Sequence, residues 1–326
     1  MHRRLPRLVA ATTLLVLAGG LPAHADEFTT PPDSVGDVVG MAWDDRSDRL
    51  WVAGDEASEG VLIGLDDDGQ QSLISWKADD LQSVEALAIH DGMMYVGDTG
   101  NGDGERDEFT VYRFSNLDPG AKKYRAWVFD HPAPGDEDIQ TLLVSGKGRM
   151  YFVSQGSNPG IYRAPTKPSR EGTNELTRVA DAPAGVTDGT FLPDGGTVVL
   201  RAADGVHVLD AYTWETQAVE TYATDPGPES VTALDDDTVL LGGSAAIREA
   251  AVPTSNTTTT PPPAANPSPS PSPSPAPSPS PTGEADDPDA QDPPTPTPRN
   301  TGTMIALTLA GIVALGAGLV TYLVKD

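Results

Sequence analysis

Five recurrences of one strand-and-turn phrase predict an all-β chain folded as a β-propeller. The copies begin near Val38 (VVGMAWDDRSDRLWVAGDEASEGVLIGLD), Leu81 (LQSVEALAIHDGMMYVGDTGNGDGERDEFTVYRF), Ile139 (IQTLLVSGKGRMYFVSQGSNPGIYRAP), Val186 (VTDGTFLPDGGTVVLRAADGVHVLD) and Glu229 (ESVTALDDDTVLLGGSAAIREAAVP). Within each, apolar runs of four to seven residues alternate with Asp/Gly turns, as consecutive antiparallel strands do. Repeats of about 40–50 residues, each with room for four short strands, are the mark of propeller blades.

In order, the units span 34–79, 80–133, 134–183, 184–224 and 225–253. In the second, Val84 to Ile89, Met93 to Val96 and Phe109 to Phe114 read as successive strands. Inner-strand candidates are mixed apolar runs, such as Ala86 to Ile89 and Thr141 to Val144, whereas Gln71 to Lys77 alternates apolar with polar, as a strand wet on one side should. The last unit is one strand short. Residues 26–33 are expected to supply it and close the ring, which also removes open sheet edges. Five blades fit these units; six would need one longer unit to split, and an open two-sheet sandwich is the rival use of the same strands.

The ends of the chain read differently. Residues 1–25 carry Arg3, Arg4 and Arg7, an apolar stretch from Leu8 to Leu21 and Ala23-His24-Ala25, the pattern of a cleaved secretory signal. The exported domain is expected over 26–253. From Thr254 to Gly302 the chain is Thr-, Pro-, Ser- and Ala-rich, then acidic; it reads as a disordered stalk, extended as polyproline II. The 303–324 segment, with its charge-free run from Met304 to Val324, is long enough for a transmembrane helix, leaving 325–326 as a cytoplasmic tail. This layout resembles that of Gram-positive sortase substrates, but Pro298-Arg299-Asn300-Thr301-Gly302 lacks the Leu-Pro lead of their motif. An intact single-pass anchor, with the propeller outside the cell, is therefore expected.

Composition narrows the function. With Arg3, Arg4, Arg7, Lys325 and Asp326 set aside, 17 Lys and Arg face 47 Asp and Glu, a net charge near −30. Such a surface repels nucleic acid and anionic lipid and suits cations or basic partners. No cysteine is present, so disulfides and thiolate chemistry are excluded. There is no Gly-x-Ser-x-Gly elbow, no phosphate-binding glycine loop followed by Lys and no His pair at zinc spacing. His90, His131 and His207 are far apart in sequence, and the five tryptophans suit blade packing.

Two groups of residues remain as candidates. On the glycine-rich turn 97–108, Asp98, Asn101, Asp103, Glu105 and Asp107 offer hard oxygen ligands of the kind calcium takes. Counted from Asn101, however, a calcium loop would want Gly where Arg106 stands and Glu where Tyr112 stands. The same turn is equally readable as one ordered by Arg106. The second group takes one place in successive repeats: Glu85, Gln140, Asp188 and Glu229. At the starts of the innermost strands they would converge on one mouth of the central channel, to hold a cation, do acid–base work or cap backbone N–H groups.

The phrases VEALAIHDGMMYVGDTGNGDGERDEFTVYRF, FLPDGGTVVLR and PESVTALDDDTVLLGG resemble those of secreted actinobacterial β-propeller proteins, a WD40-like group related to the esterase-like phytase propellers. The likeness covers 34–253. In that group the turn reads Asp-Ile-Gly-Asp-Asn, three residues, Arg; here Asp98, Gly100 and Arg106 match, while Thr99, Asn101 and Gly102 depart, and Gln140 stands where an acid is usual. The resemblance implies a propeller fold. The signal, the stalk, the anchor and the lack of a nucleophile motif point to a binding or scaffolding module at the cell envelope, with a protein, glycan or small molecule as partner; the resemblance implies the alternative, a calcium-dependent phosphoesterase or esterase using Glu85, Asp98, Asp188 and Glu229.

Overall fold

The computed structural model describes residues 27–66, 68–132, 138–224, 227, 230–243 and 245–260. The expected signal, most of the stalk, the anchor and the tail lie outside them. Among the described residues no helix is long and apolar enough to cross a membrane.

The described chain is a five-bladed β-propeller. Blade one contains Gly40–Asp44, Arg49–Ala53, Val61–Leu65 and Gln71–Ser75; blade two Val84–His90, Met93–Asp98, Glu108–Phe114 and Tyr124–Asp130. Blade three contains Ile139–Val144, Met150–Ser154, Gly160–Arg163 and Thr177–Asp181; blade four Val186–Phe191, Thr197–Ala202, Gly205–Asp210 and Thr216–Tyr222. Within each blade successive strands pair antiparallel, and the first strand of every blade packs against the first strands of its two neighbours, so the ring is closed.

Blade five supplies only Ser230–Ala233, Thr238–Gly242 and Ile247–Ala251 from its own repeat. Its outer strand is Glu27–Thr29, antiparallel to Ile247–Ala251 with Glu27 opposite Arg248 and Thr29 opposite Ile247. The closure expected of residues 26–33 is thus present. Phe28 anchors it by setting its ring edge-on to Trp43 of blade one, 5.7 Å away at 86°.

Local sequence explains the hairpins. Asp91 and Gly92 both take positive φ, 52° and 69°, the backbone of a two-residue turn that follows the strand twist. A β-carbon at Gly92 would also meet the far end of the Arg46 side chain of the neighbouring blade, which would have to swing aside. Second strands such as Arg49–Ala53 are almost wholly buried, whereas the outer Gln71–Ser75 buries only Ile74, which explains the alternation seen there.

Apolar side chains gather in five clusters, one per blade interface. Trp51, Trp76, Val96 and Phe114 fill the first; Phe109, Phe129, Leu142 and Phe152 the second. Further round, Val153 meets Leu200, Val206 meets Val239, and Met41 and Leu50 meet Leu240. A phenylalanine buried in such a cluster contributes about 1.5–3 kcal/mol, so the interfaces carry most of the stability of a chain without disulfides.

Outer edges are covered by segments that sequence patterning left as loops. Gly120–Ala121 pairs in parallel with the outer strand of blade one, and Asn174 bridges Phe129 on the edge of blade two. Thr257–Thr259, which composition assigns to the stalk, pairs in parallel with Thr216–Tyr222 of blade four. Thr259 Oγ1 donates to Glu220 at 2.6 Å, and Val219 N–H donates to the Asn256 side chain at 3.0 Å. The ordered backbone therefore continues past Pro253. A run of β-branched threonines carries no apolar signal, yet it suits an edge that needs a partner.

Candidate functional site

The two ends of the channel differ in chemistry. At the end where the inner strands begin, polar side chains tie blade to blade. Ser58 Oγ accepts from Val84 N–H at 3.0 Å, joining blades one and two. Thr99 Oγ1 donates to Ile139 O at 2.7 Å, and Asn101 N–H donates to Asp138 at 3.0 Å, joining two and three. Gln155 Nε2 donates to Val186 O at 2.6 Å, joining three and four. The Asp188 carboxylate accepts from Val231 N–H at 3.0 Å and from Gly189 N–H at 2.8 Å, joining four and five.

Asp188 is fully buried. Burial pushes its pKa well above the ordinary carboxylate value, against the opposing pull of hydrogen bonds from Val231, Gly189, Met41 and Ser230. Because Met41 lies on blade one, this single carboxylate links three inner strands.

The expected equivalence of Glu85, Gln140 and Asp188 needs correction. The inner strands are bulged between Val84 and Ala86, Ile139 and Thr141, and Val186 and Asp188. The bulged residues are therefore Glu85, Gln140 and Thr187. Asp188 stands one residue further on, opposite Arg201, as Ala86 stands opposite Gly97 and Thr141 opposite Val153. The bulge is common to the three strands, so the offset comes from the sequence: Glu85 and Gln140 directly follow Val84 and Ile139, whereas Thr187 stands between Val186 and Asp188. Glu229 lies outside the described residues.

Glu85 and Gln140 remain neighbours of Asp138. Ser83 Oγ donates to Glu85 Oε1 at 2.6 Å, and Gln140 Nε2 donates to Asp138 at 3.1 Å. Burial raises the Glu85 pKa; the Ser83 bond opposes this, while Asp138 and Asp98 add to it. Gly100 permits the crowding, since a β-carbon there would lie 2.4 Å from Ser83 Oγ and 2.8 Å from Glu85 Oε1.

The acidic turn of blade two is organised by Arg106. Its Nη1 lies 3.2 Å from Asp98 Oδ1 and donates to Gly100 O at 2.7 Å, and its Nη2 donates to Asp98 O at 3.1 Å. Asp98, 1% exposed, also accepts from Ser83 N–H at 2.8 Å. Asn101 clasps Arg106 by accepting from its N–H and donating to its carbonyl, both at 2.9 Å. Asp103 accepts from Glu105 N–H, and Asp103, Glu105 and Asp107 are exposed.

These residues do not fit a calcium loop. The guanidinium of Arg106 already neutralises the buried Asp98, and the Asn101 side chain is occupied by the turn itself. Among the described residues no three His, Asp or Glu side chains gather as a ligand set.

The opposite end of the channel opens into a cavity of about 320 Å³, lined by residues of all five inner strands and the turns that follow them. Leu87, Leu142 and Phe191 border it together with Asp45, Arg46, His90 and Asp91; the Leu87 and Leu142 side chains are buried in the blade interfaces, and the Phe191 ring packs on Tyr151 and Trp214. Arg46 Nη2 pairs with Asp91 at 3.1 Å, bridging blades one and two, and both side chains are exposed. Thr232 Oγ1 accepts from Trp43 N–H at 3.1 Å, joining blades five and one. None of these residues belongs to a motif; the only sequence signal was the Asp content of the hairpin turns.

No family model matches the chain. Among solved structures it is similar to a streptogramin B lyase, 12% identical over 69% of this chain and 68% of that one, with a TM-score of 0.41. It is similar to a gluconolactonase from Xanthomonas campestris, 17% identical over 65% and 71%, TM-score 0.41. The PQQ-bound aldose sugar dehydrogenase of Streptomyces coelicolor is 12% identical over 69% and 96%, TM-score 0.44. Likeness at this level carries nothing about activity.

Proposed function

We propose that this protein is an extracellular, membrane-anchored binding module whose propeller takes its ligand in the channel cavity between the hairpin turns. The observation that carries this reading is how the candidate catalytic carboxylates are used. Asp188 accepts main-chain N–H groups, and Asp98 is held by Arg106 and Ser83 N–H. Groups so engaged hold the ring together. The lining of the open cavity, by contrast, holds no serine or cysteine among the described residues, and its two threonine hydroxyls are engaged with backbone, Thr190 Oγ1 donating to Phe191 O and Thr232 Oγ1 accepting from Trp43 N–H. The anchored topology rests on the sequence of residues 1–25 and 303–324.

Calcium-dependent ester or phosphoester hydrolysis is the second reading of the same fold, and Glu85 is the residue that favours it. Its half-buried carboxyl, held by Ser83, has a pKa shifted toward that of a general acid. The acidic surface weighs against it, and so does the lack of a gathered ligand set among the described residues.

Two measurements on the full-length protein test the proposal. Protease added to intact cells is expected to remove the propeller while leaving cytoplasmic proteins whole, and a screen of nitrophenyl esters and phosphates with calcium is expected to give no turnover. A propeller protected from external protease would refute the topology. Turnover abolished by Glu85→Gln would establish the hydrolase instead.

A further inference from the structure

We propose that the outer edge of blade two, over residues 124–127, takes an acidic peptide segment of a partner protein as an added β-strand. The inference goes beyond the channel. It names a second site, on the rim of the propeller, that stands or falls apart from the cavity.

The edge is open. Tyr124–Asp130 is the outermost strand of its sheet. Asn174 covers one end of it: its N–H donates to Val128 O at 3.0 Å, and its carbonyl accepts from Asp130 N–H at 3.1 Å. Main-chain groups alternate along a strand, so those of Tyr124 and Ala126 point outward as well. Among the described residues no strand or loop pairs with them. The outer strands of blades one and four, by contrast, are covered by Gly120–Ala121 and Thr257–Thr259.

Charge selects the strand that fits. Residues 109–129 hold Arg113, Lys122, Lys123 and Arg125 against Asp118 alone, in a chain of net charge −27. Arg113 and Arg125 are direct cross-strand partners, a like-charged pair that is destabilising while no anion answers it. Neither has a hydrogen bond or ion pair among the described residues. The Arg113 guanidinium instead lies 5.3 Å from the Trp127 ring centroid and 5.9 Å from that of Tyr95. Such contacts orient the group and leave its N–H donors uncommitted. Arg125 and Lys123 are exposed. Toward the covered end the sign reverses, with Asp130 opposite Glu108.

A strand added beside residues 124–127 sets one of its own side chains opposite Arg125, extending the cross-strand row of Tyr95, Arg113 and Arg125. An acid at that place answers the like-charged pair, while the Tyr124 and Ala126 main chain supplies the hydrogen bonds that hold an extended peptide to a sheet edge. A second copy pairing edge to edge would bring the same lysines and arginines together. Positive charge on the edge therefore opposes self-pairing and admits an acidic strand.

The probe is the fluorescently labelled peptide Thr-Glu-Val-Glu-Val-Glu-Thr, titrated by anisotropy into the full-length protein in nonionic detergent. Beside it run a counterpart with Lys for each Glu, and a fully N-methylated counterpart that keeps the charges and cannot donate to the edge. The acidic peptide is expected to bind more tightly than both, and to weaken as salt is raised. Arg125→Gln is expected to weaken it roughly two- to fivefold, the range of one exposed ion pair. Charge reversal by Arg125→Glu is expected to weaken it roughly tenfold or more, by like-charge opposition. Arg125 is exposed, so both substitutions leave the core untouched. Absence of acidic-peptide binding, equal binding of either counterpart, or an affinity indifferent to Arg125→Glu would overturn the assignment.

Discussion

Asp188→Ala is expected to cost about 3–5 kcal/mol of folding stability, because each buried N–H left without an acceptor costs about 1–3 kcal/mol. Asp188 accepts from Val231 and Gly189 N–H, with further bonds from Met41 and Ser230. Removing it strips the acceptor shared by the inner strands of blades four, five and one. For a domain of this size the loss corresponds to a fall in Tm of roughly 10 °C.

The pH dependence separates this role from simple space filling. Burial raises the folded-state pKa of Asp188 above its unfolded value, so the fold holds that proton more tightly. Its contribution is full below the unfolded pKa and is lost as pH rises through the folded one. Asp188→Asn has no such proton. The stability advantage of the wild type over Asp188→Asn is therefore expected to be greatest in acid and to shrink toward neutrality, measured by urea unfolding from pH 4 to 7. Glu85, raised in the same direction, leaves a residual slope in the variant. An alanine variant within about 1 kcal/mol of wild type would remove Asp188 from the scaffold, since a surface position typically gives less than that.

Removing residues 26–30 is expected to cost a similar amount, about 3–5 kcal/mol, through lost strand pairing and the lost burial of Phe28. Glu27–Thr29 covers the edge of Ile247–Ala251, and Phe28 packs on Trp43 in the cluster shared with Leu240 and Ile247. The truncated protein should also associate, because an uncovered edge is a template for pairing with another chain. Thermal unfolding and sedimentation of the truncated and intact proteins check both effects. A truncated chain as stable and as monodisperse as the intact one would mean that the ring does not depend on this closure.

The fold was legible because its cause is local. Short apolar runs parted by turns rich in Asp or Gly recur in every unit, and the missing outer strand of the last unit was visible as an absence that residues 26–33 could fill. The site was less legible because it depends on pairing across strands. That the residue after Val84, Ile139 and Val186 is bulged out, and that Asp188 instead faces Arg201, is a property of two paired strands, which neither strand's sequence alone records. Arg106 was readable as the organiser of its turn from its place among carboxylates. The cavity left no signal beyond the Asp content of the hairpin turns: Asp45, Trp43, Leu142 and Phe191 come from three repeats and share no motif. Likewise Thr257–Thr259 acquires its strand from the open edge of blade four, a partner far from it in sequence.

The central claim is that the carboxylates where the inner strands begin hold the propeller together and leave ligand binding to the opposite mouth. Its most direct test is the Tm of the full-length protein in EDTA and again in millimolar calcium. An ion bound only by the folded state would stabilise it by about 2.7 kcal/mol at 100 times its Kd. The account predicts the same Tm in both, with Arg106 serving as the cation for Asp98. A rise of several degrees in calcium, abolished by substituting Asp98 or Glu85, would contradict it.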